Sequence, residues 1–259
     1  MLFTTSAFIA AIASVASVRA APTVTTPGPV PLVSNAAAIA GSLMNQPSSN
    51  DRLKKLLSDS DGKLLTGDAL RQLTVFDYNQ QKPTDGAKGG SILLATVDNF
   101  PILQSLGISG AISFVEPCGL NIPHTHPRAN EIFINIEGIL DTGFVMENGF
   151  STEIETQLGK YQGTVFPMGS IHYQQNPTCD PAVFVAALNS EDPGRSDIAQ
   201  TFWMLPGDVI NAALGFPTTI GGGNIDAWRS HIPVNLAAGV DSCLQRCGLS
   251  SGNSSDYST

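Results

Sequence analysis

The sequence predicts a β-dominated domain, a sandwich or barrel, with an N-terminal extension before it and short helices after it. Three observations carry this. Short apolar, β-branched runs recur at close spacing through the middle of the chain. Turn-forming clusters separate them at residues 88–90, 147–149, 158–160 and 176–178. No long run of helical periodicity interrupts them.

The elements follow in order. Residues 1–20 read as a secretory signal: Ala7–Val18 is apolar but too short to span a bilayer, and the small residues Val18 and Ala20 place cleavage after Ala20. Residues 21–70 form an arm and extension, with Pro22–Pro31 flexible and a short helix near Asn35–Asn45. Apolar positions 53, 56 and 57 give Asp51–Leu57 a helical spacing, with Asp51 as cap, and Thr66–Leu73 adds a turn. The barrel is placed at 71–194. Its strands are expected at Leu73–Tyr78, Ser91–Val97, Gly110–Glu116, Ile122–His126, Glu131–Glu137, Ile139–Met146, Thr152–Leu158, Gly163–Phe166, Ser170–Gln175 and Ala182–Leu188. Residues 195–248 are read as helical: Ser196–Met204 is mixed, Asp208 caps Val209–Leu214, and Gly215 stops it. Gly221–Gly223 is a linker, Asn224 caps Ile225–Ser230, and Ala237–Arg246 is a last helix. The polar tail 249–259 holds the glycosylation sequon at Asn253.

Composition narrows the function. The chain has 259 residues, 42% hydrophobic, with 25 glycines and 17 prolines. Its formal charge is −9; without residues 1–20, which hold Arg19 and no acid, 12 bases face 22 acids, a charge of −10. That excess argues against nucleic acid or an anionic membrane as partner and suits an extracellular protein.

The chemistry lies in two stretches. His124 and His126 are two residues apart, so a strand aims both imidazoles to one side. Pro127–Asn130 can turn the chain to bring in Glu131. Downstream, Pro167 and Gly169 mark a turn before His172. Three imidazoles and a carboxylate form a ligand set for one divalent transition metal, in which six-coordinate manganese or iron keeps two positions open for a small ligand. His231 is read as a surface residue, and Trp203 and Trp228 as packing residues.

The two stretches resemble the paired cupin motifs G-x5-H-x-H-x4-E-x6-G and G-x5-P-x-G-x2-H-x3-N. They are read through Gly119, His124, His126, Glu131 and Gly138, then Gly163, Pro167, Gly169, His172 and Asn176. The span from about Asn79 to Leu214 resembles germin-like proteins, nearest the spherulin-like members of fungi and slime moulds. The resemblance implies a jelly-roll barrel, one metal, usually manganese, held by His124, His126, Glu131 and His172, and a trimer or hexamer in the extracellular space or cell wall. Asn121 matches an asparagine that helps hold substrate in oxalate-oxidising germins; as a residue it reads equally as a turn position. The family's second asparagine is replaced by Ala111, which cannot donate to a carboxylate. The resemblance therefore points to superoxide-dismutase-type or other small-molecule redox chemistry before oxalate oxidation, with a non-catalytic wall or storage protein as the alternative. Oxalate decarboxylases carry two cupin domains, and this chain has one pair of motifs.

Two further expectations follow. Four cysteines in an oxidising compartment suggest disulfides, and three pairings are open. Cys118 lies six residues before His124 and Cys179 seven after His172, so a shared metal brings them near each other and predicts a Cys118–Cys179 bond, with Cys243 and Cys247 left to close a local loop. If Glu131 points inward and no bulge intervenes, Ile132, Ile134 and Ile136 share the outer face and need cover from the N-terminal extension or a neighbouring subunit.

Overall fold

The computed structural model describes residues 27–80, 84–150, 152–215 and 231–250. The signal segment, the Gly221–Gly223 linker, the Ile225–Ser230 helix, Trp228 and Asn253 lie outside the described residues.

Ten strands form two five-stranded antiparallel sheets of a jelly roll. One sheet runs β1 (Gly90–Ala95), β2 (Ser109–Val115), β9 (Ala182–Leu188), β4 (Glu131–Glu137) and β7 (Gly163–Phe166). The other runs β10 (Ser196–Asp197), β3 (Leu120–Thr125), β8 (Ile171–Gln175), β5 (Leu140–Val145) and β6 (Ile154–Leu158). Nine of the ten predicted strands are present within a residue or two at each end. Leu73–Tyr78 is a correction: α3 (Gly67–Thr74) carries the chain through Leu70 and Leu73 at helical spacing, and a 3-10 turn follows at Tyr78–Gln80. The tenth strand, β10, comes from the mixed segment after residue 194 and pairs Ser196 with Thr125 and Asp197 with His124.

The core is built by alternation. Phe133 on β4, Phe166 on β7 and Phe184 on β9 point inward with Val115, Leu140, Leu158 and Ala182. Ring centroids lie 4.5 Å apart for Phe133–Phe184 and 5.8 Å for Phe133–Phe166. Each such side chain contributes about 1.5–3 kcal/mol by leaving water. Gly138 must be glycine: its φ is +77°, and a Cβ there would lie 2.8 Å from that of Ala182.

Two helices of the extension, α1 (Ala36–Leu43) and α2 (Ser49–Leu57), precede α3. Ser48, not Asp51, caps α2: its Oγ accepts the Asp51 N–H at 3.1 Å. After the barrel come α4 (Ile198–Trp203), α5 (Gly207–Ala213) and α6 (Asp241–Arg246). Pro206 rather than Asp208 precedes α5, and Asp208 lies inside its first turn.

The disulfides are the second correction. Cys118 pairs with Cys243 and Cys179 with Cys247. Cys118 and Cys179 do come close, since the Cys118 N–H donates to the Thr178 carbonyl at 3.1 Å. But Cys243 and Cys247 lie four apart at α6, on one helical side, and together face the barrel. Each takes a barrel cysteine instead of closing a local loop. The segment before α6 is packed as closely: Asn235 Oδ1 accepts the Ile122 N–H at 2.9 Å, and a Cβ on Gly239 would lie 1.7 Å from the Cys118 carbonyl oxygen.

A third correction concerns the opening glycines of the motifs. Five residues separate the motif glycine from the first histidine, which puts that position at Cys118 rather than Gly119; the same count from Pro167 leads to Tyr161 rather than Gly163. Both residues hold left-handed backbone, with φ of +59° at Cys118 and +62° at Tyr161. The conformation that favours glycine persists without glycine. At Cys118 the disulfide and the Thr178 bond hold it; at Tyr161 the N–H donates to the Asn135 carbonyl at 2.8 Å.

Candidate metal centre

Three strands supply the site. His124 lies on β3 directly opposite His172 on β8, and His126 follows just past the end of β3. Glu131 opens β4 on the facing sheet, where the inward alternation that buries Phe133 and Asn135 also buries its carboxylate. The intervening turn is tied down from both sides: Asn130 N–H donates to Asn189 Oδ1 at 2.8 Å, and Asn130 Oδ1 accepts the Met168 N–H at 3.0 Å. The Pro167–Ser170 turn is locked to the first stretch, as Gly169, at φ +82°, donates its N–H to the His126 carbonyl at 3.1 Å.

The four side chains are only 1–7% exposed, and their donor atoms all lie within 4.8 Å of one another. His126 Nε2 is 3.1 Å and His172 Nε2 3.4 Å from Glu131 Oε2. Every imidazole is oriented by a backbone carbonyl at Nδ1: Ile122 for His124 at 2.8 Å, Gly194 for His126 at 2.6 Å and Ser170 for His172 at 3.0 Å. A carbonyl only accepts, so each Nδ1 carries the proton and each neutral ring turns its Nε2 lone pair to the common centre. Phe166 stacks on His172 at 4.3 Å and 12°, which joins the ligand cluster to the aromatic core.

Electrostatics agree with the donor set. Burial, then the charges of Arg195, His172 and His126, hold His124 well below the usual histidine range and keep it neutral. Burial raises the Glu131 carboxyl, but hydrogen bonds and charge from His126 and His172 outweigh it, and the net shift is downward. A carboxylate held ionised there will neutralise a cation, and neutral imidazoles will give it their lone pairs. Apart from its 3.4 Å approach to Glu131 Oε2, buried His172 Nε2 has no hydrogen-bond partner among the described residues. The donor set and this weakly satisfied nitrogen fit a divalent ion.

The other sequence-predicted residues fall elsewhere or in altered roles. Asn121 is buried, 1% exposed, and not a surface turn. A bulge between Asn121 and His124 makes three residues of β3 span two of β8, so Asn121 faces inward with the histidines. Its amide donates to Gln174 Oε1 and accepts from Arg195 Nη2 at 2.9 Å. Ala111 on β2 is buried and faces the interior. Motif residue Asn176 is structural, accepting the Thr178 N–H at 2.9 Å and donating to the Asp180 carbonyl at 2.7 Å. His231 is exposed, and Trp203 packs edge-on against Phe202. Arg195 and Gln174 are the two polar neighbours that the motifs do not mark. Arg195 follows the Gly194 carbonyl that holds His126, a relation made only by long-range folding.

Residues 76–219, more than half of the chain, match the cupin family, and the chain belongs to it. Within that family it stands with the germin-like and spherulin members. Spherulin-1A of Physarum polycephalum is 37% identical over 210 residues, 80% of this chain and 78% of that protein. Germin-like protein 8-9 of Oryza sativa subsp. japonica is 37% identical over 167 residues, 64% of this chain and 73% of that one. An oxalate oxidase solved in complex with the substrate analogue glycolate superposes with a TM-score of 0.54 at 25% identity, covering 60% of this chain and 79% of the other. Among the described residues no helix is long and apolar enough to cross a membrane.

Proposed function

We propose that this chain is a secreted, metal-loaded germin-like cupin whose centre performs redox chemistry on a small anionic oxygen species. The observation that carries the reading is the convergence of three carbonyl-oriented imidazoles on one buried carboxylate. His124, His126, Glu131 and His172 would hold the ion; manganese is favoured by the resemblance to germins. A bound redox-active ion supplies one-electron chemistry. The protein's own part is to keep His124 neutral, fix the three rings, shield the centre from bulk water and present anion-binding groups beside it.

Superoxide stands before oxalate. The germin-type clamp needs a donor where this chain has the buried methyl of Ala111, and the Asn121 amide is already bonded on both sides. Glycolate in the related oxidase supports an anionic substrate of some kind. Two disulfides and the apolar segment at residues 7–18 support passage through an oxidising export route. The uncovered apolar strip on β4, β7 and β9 supports assembly into a trimer or hexamer.

Metal analysis followed by superoxide and oxalate assays on one preparation tests the reading, with His172→Ala as control. The expected result is stoichiometric manganese and superoxide removal, both lost in the variant. Robust peroxide release from oxalate would reverse the order of substrates. Metal without either activity would favour a non-catalytic protein stabilised by its ion.

A further inference from the structure

Arg195, Asn121 and Gln174 form a polar chain beside the ligand cluster, and its hydrogen-bond directions are fixed from one end. A guanidinium only donates. Arg195 Nη2 lies 2.9 Å from Asn121 Oδ1, so the amide oxygen faces Arg195 and the amide nitrogen faces Gln174. Asn121 Nδ2 donates to Gln174 Oε1, which leaves Gln174 Nε2 at the end of the chain. That nitrogen is buried, in a side chain 1% exposed, and has no hydrogen-bond partner among the described residues. A buried amide donor left unpaired in a native fold requires an explanation.

The other end is equally suggestive. Arg195 Nε donates to Asp197 Oδ1 at 2.7 Å. With the Asn121 bond this orients the guanidinium plane while using two of its five N–H groups. The side chain is 22% exposed, so it is open to solvent at the rim, while the metal-ligand candidates are nearly closed off. Its charge is felt at His124; burial disfavours that charge, and Asp197, then Glu131, partly offset the burial. Gln174 shares the inward face of β8 with His172, two residues away, and Arg195 is one residue from the carbonyl that holds His126.

We propose that Arg195 is the anion-docking residue of this centre, drawing a small oxyanion to it, and that Gln174 Nε2 is a separate donor at the far end of the same chain. The proposal rests on the reading of the cluster as a metal centre, and it names the group that draws the anion to it. Although Arg195 is paired with Asp197, three of its five N–H groups are left over from the bonds to Asp197 and Asn121, and a guanidinium donates strongly to an oxyanion.

Glycolate titrated calorimetrically into wild type, Arg195→Gln, Arg195→Lys and Gln174→Leu tests this, in metal-loaded and metal-stripped forms, with metal content and melting temperature measured on each. All four proteins should hold the same metal. Glycolate affinity should fall at least ~10-fold in Arg195→Gln, the loss expected for a charged hydrogen bond. It should fall by less in Arg195→Lys, which keeps the charge and loses the fork, and also in Gln174→Leu. Metal-loaded Arg195→Gln that binds glycolate as wild type does would overturn the assignment and leave the metal reading intact. Loss of metal in Arg195→Gln would also overturn it, making Arg195 a support for the histidines. Wild type that holds no metal would remove the metal reading itself; an Arg195-dependent glycolate affinity in that protein would still sustain the docking role.

Discussion

On the outer surface of one sheet Ile132 of β4 sits between Val165 of β7 and Ala187 of β9, with Ile134 next to it. On the outer surface of the other, Gln157 of β6 donates to Asp141 of β5 at 2.7 Å, and Tyr173 of β8 lies beside Glu153, Asp141 and Glu155. Burial and those carboxylates push the Tyr173 phenol well above its ordinary range, so it stays a neutral donor. Both sheets turn alternate residues inward to one shared core. The second turns mostly polar residues outward, with Val145 and Ile171 paired at one end of β5 and β8. Ile132 is 51% exposed, Ile134 38% and Val165 56%. The N-terminal extension covers the β1 side of that sheet, where Leu93 and Ala95 are buried and Tyr78 donates to the Gly110 carbonyl at 3.2 Å, and leaves β4 and β7 open. We propose that a neighbouring copy covers them.

The candidate metal centre joins these two unlike sheets, three imidazoles from the polar-faced one and one carboxylate from the apolar-faced one. The largest expected effect is therefore His172→Ala. Metal affinity should fall by more than about 100-fold, since even loss of a group that only supports a ligand costs 10–100-fold. Elemental analysis of the purified protein checks it, and full occupancy would refute the ligand set. Chelation of wild type should lower its melting temperature while leaving the variant's unchanged, because an ion that binds only the folded state stabilises it by mass action.

Next in size is the Cys118–Cys243 bond, which closes a separation of 125 residues. Replacing both cysteines by alanine should cost about 5 kcal/mol on the chain-entropy account, measured by denaturant unfolding. Non-reducing peptide mapping decides the pairing itself, and a recovered Cys118–Cys179 peptide would restore the pairing read from the motifs.

The sharpest test of the two outer faces is a matched pair of substitutions. Ile132→Glu with Ile134→Glu should shift the species seen by light scattering toward monomer at micromolar protein. Glu155→Gln on the polar face should leave both assembly and stability within about 0.5 kcal/mol of wild type. Equal behaviour of the two would deny that the apolar face is an interface. Smallest of all, Tyr161→Gly relieves left-handed backbone of about 1–2 kcal/mol but gives back 0.5–1 in chain entropy. The net gain should not exceed about 1 kcal/mol by thermal melting.

What the chain determined locally was what has a local period. Alternation placed Glu131, Phe133 and Asn135 inward and Ile132 and Ile134 outward, but not Ile136, where the β4 register shifts and the side chain is half-buried; the i, i+2 relation put His124 and His126 together in one cluster. The limits were equally local: the apolar spacing of Leu70 and Leu73 belonged to a helix and was partly assigned to a strand. Tertiary structure decided everything that depends on which distant segments meet. The bulge in β3 turned Asn121 from a turn residue into a buried one, because one extra residue reverses which face a side chain takes. The α6 helix took Cys118 and Cys179 away from each other, since a disulfide forms with whichever thiol packing presents. Arg195 became a neighbour of the metal centre only when β10 paired with β3. Its charge then acts on residues about seventy positions away, across a gap that no sequence period records.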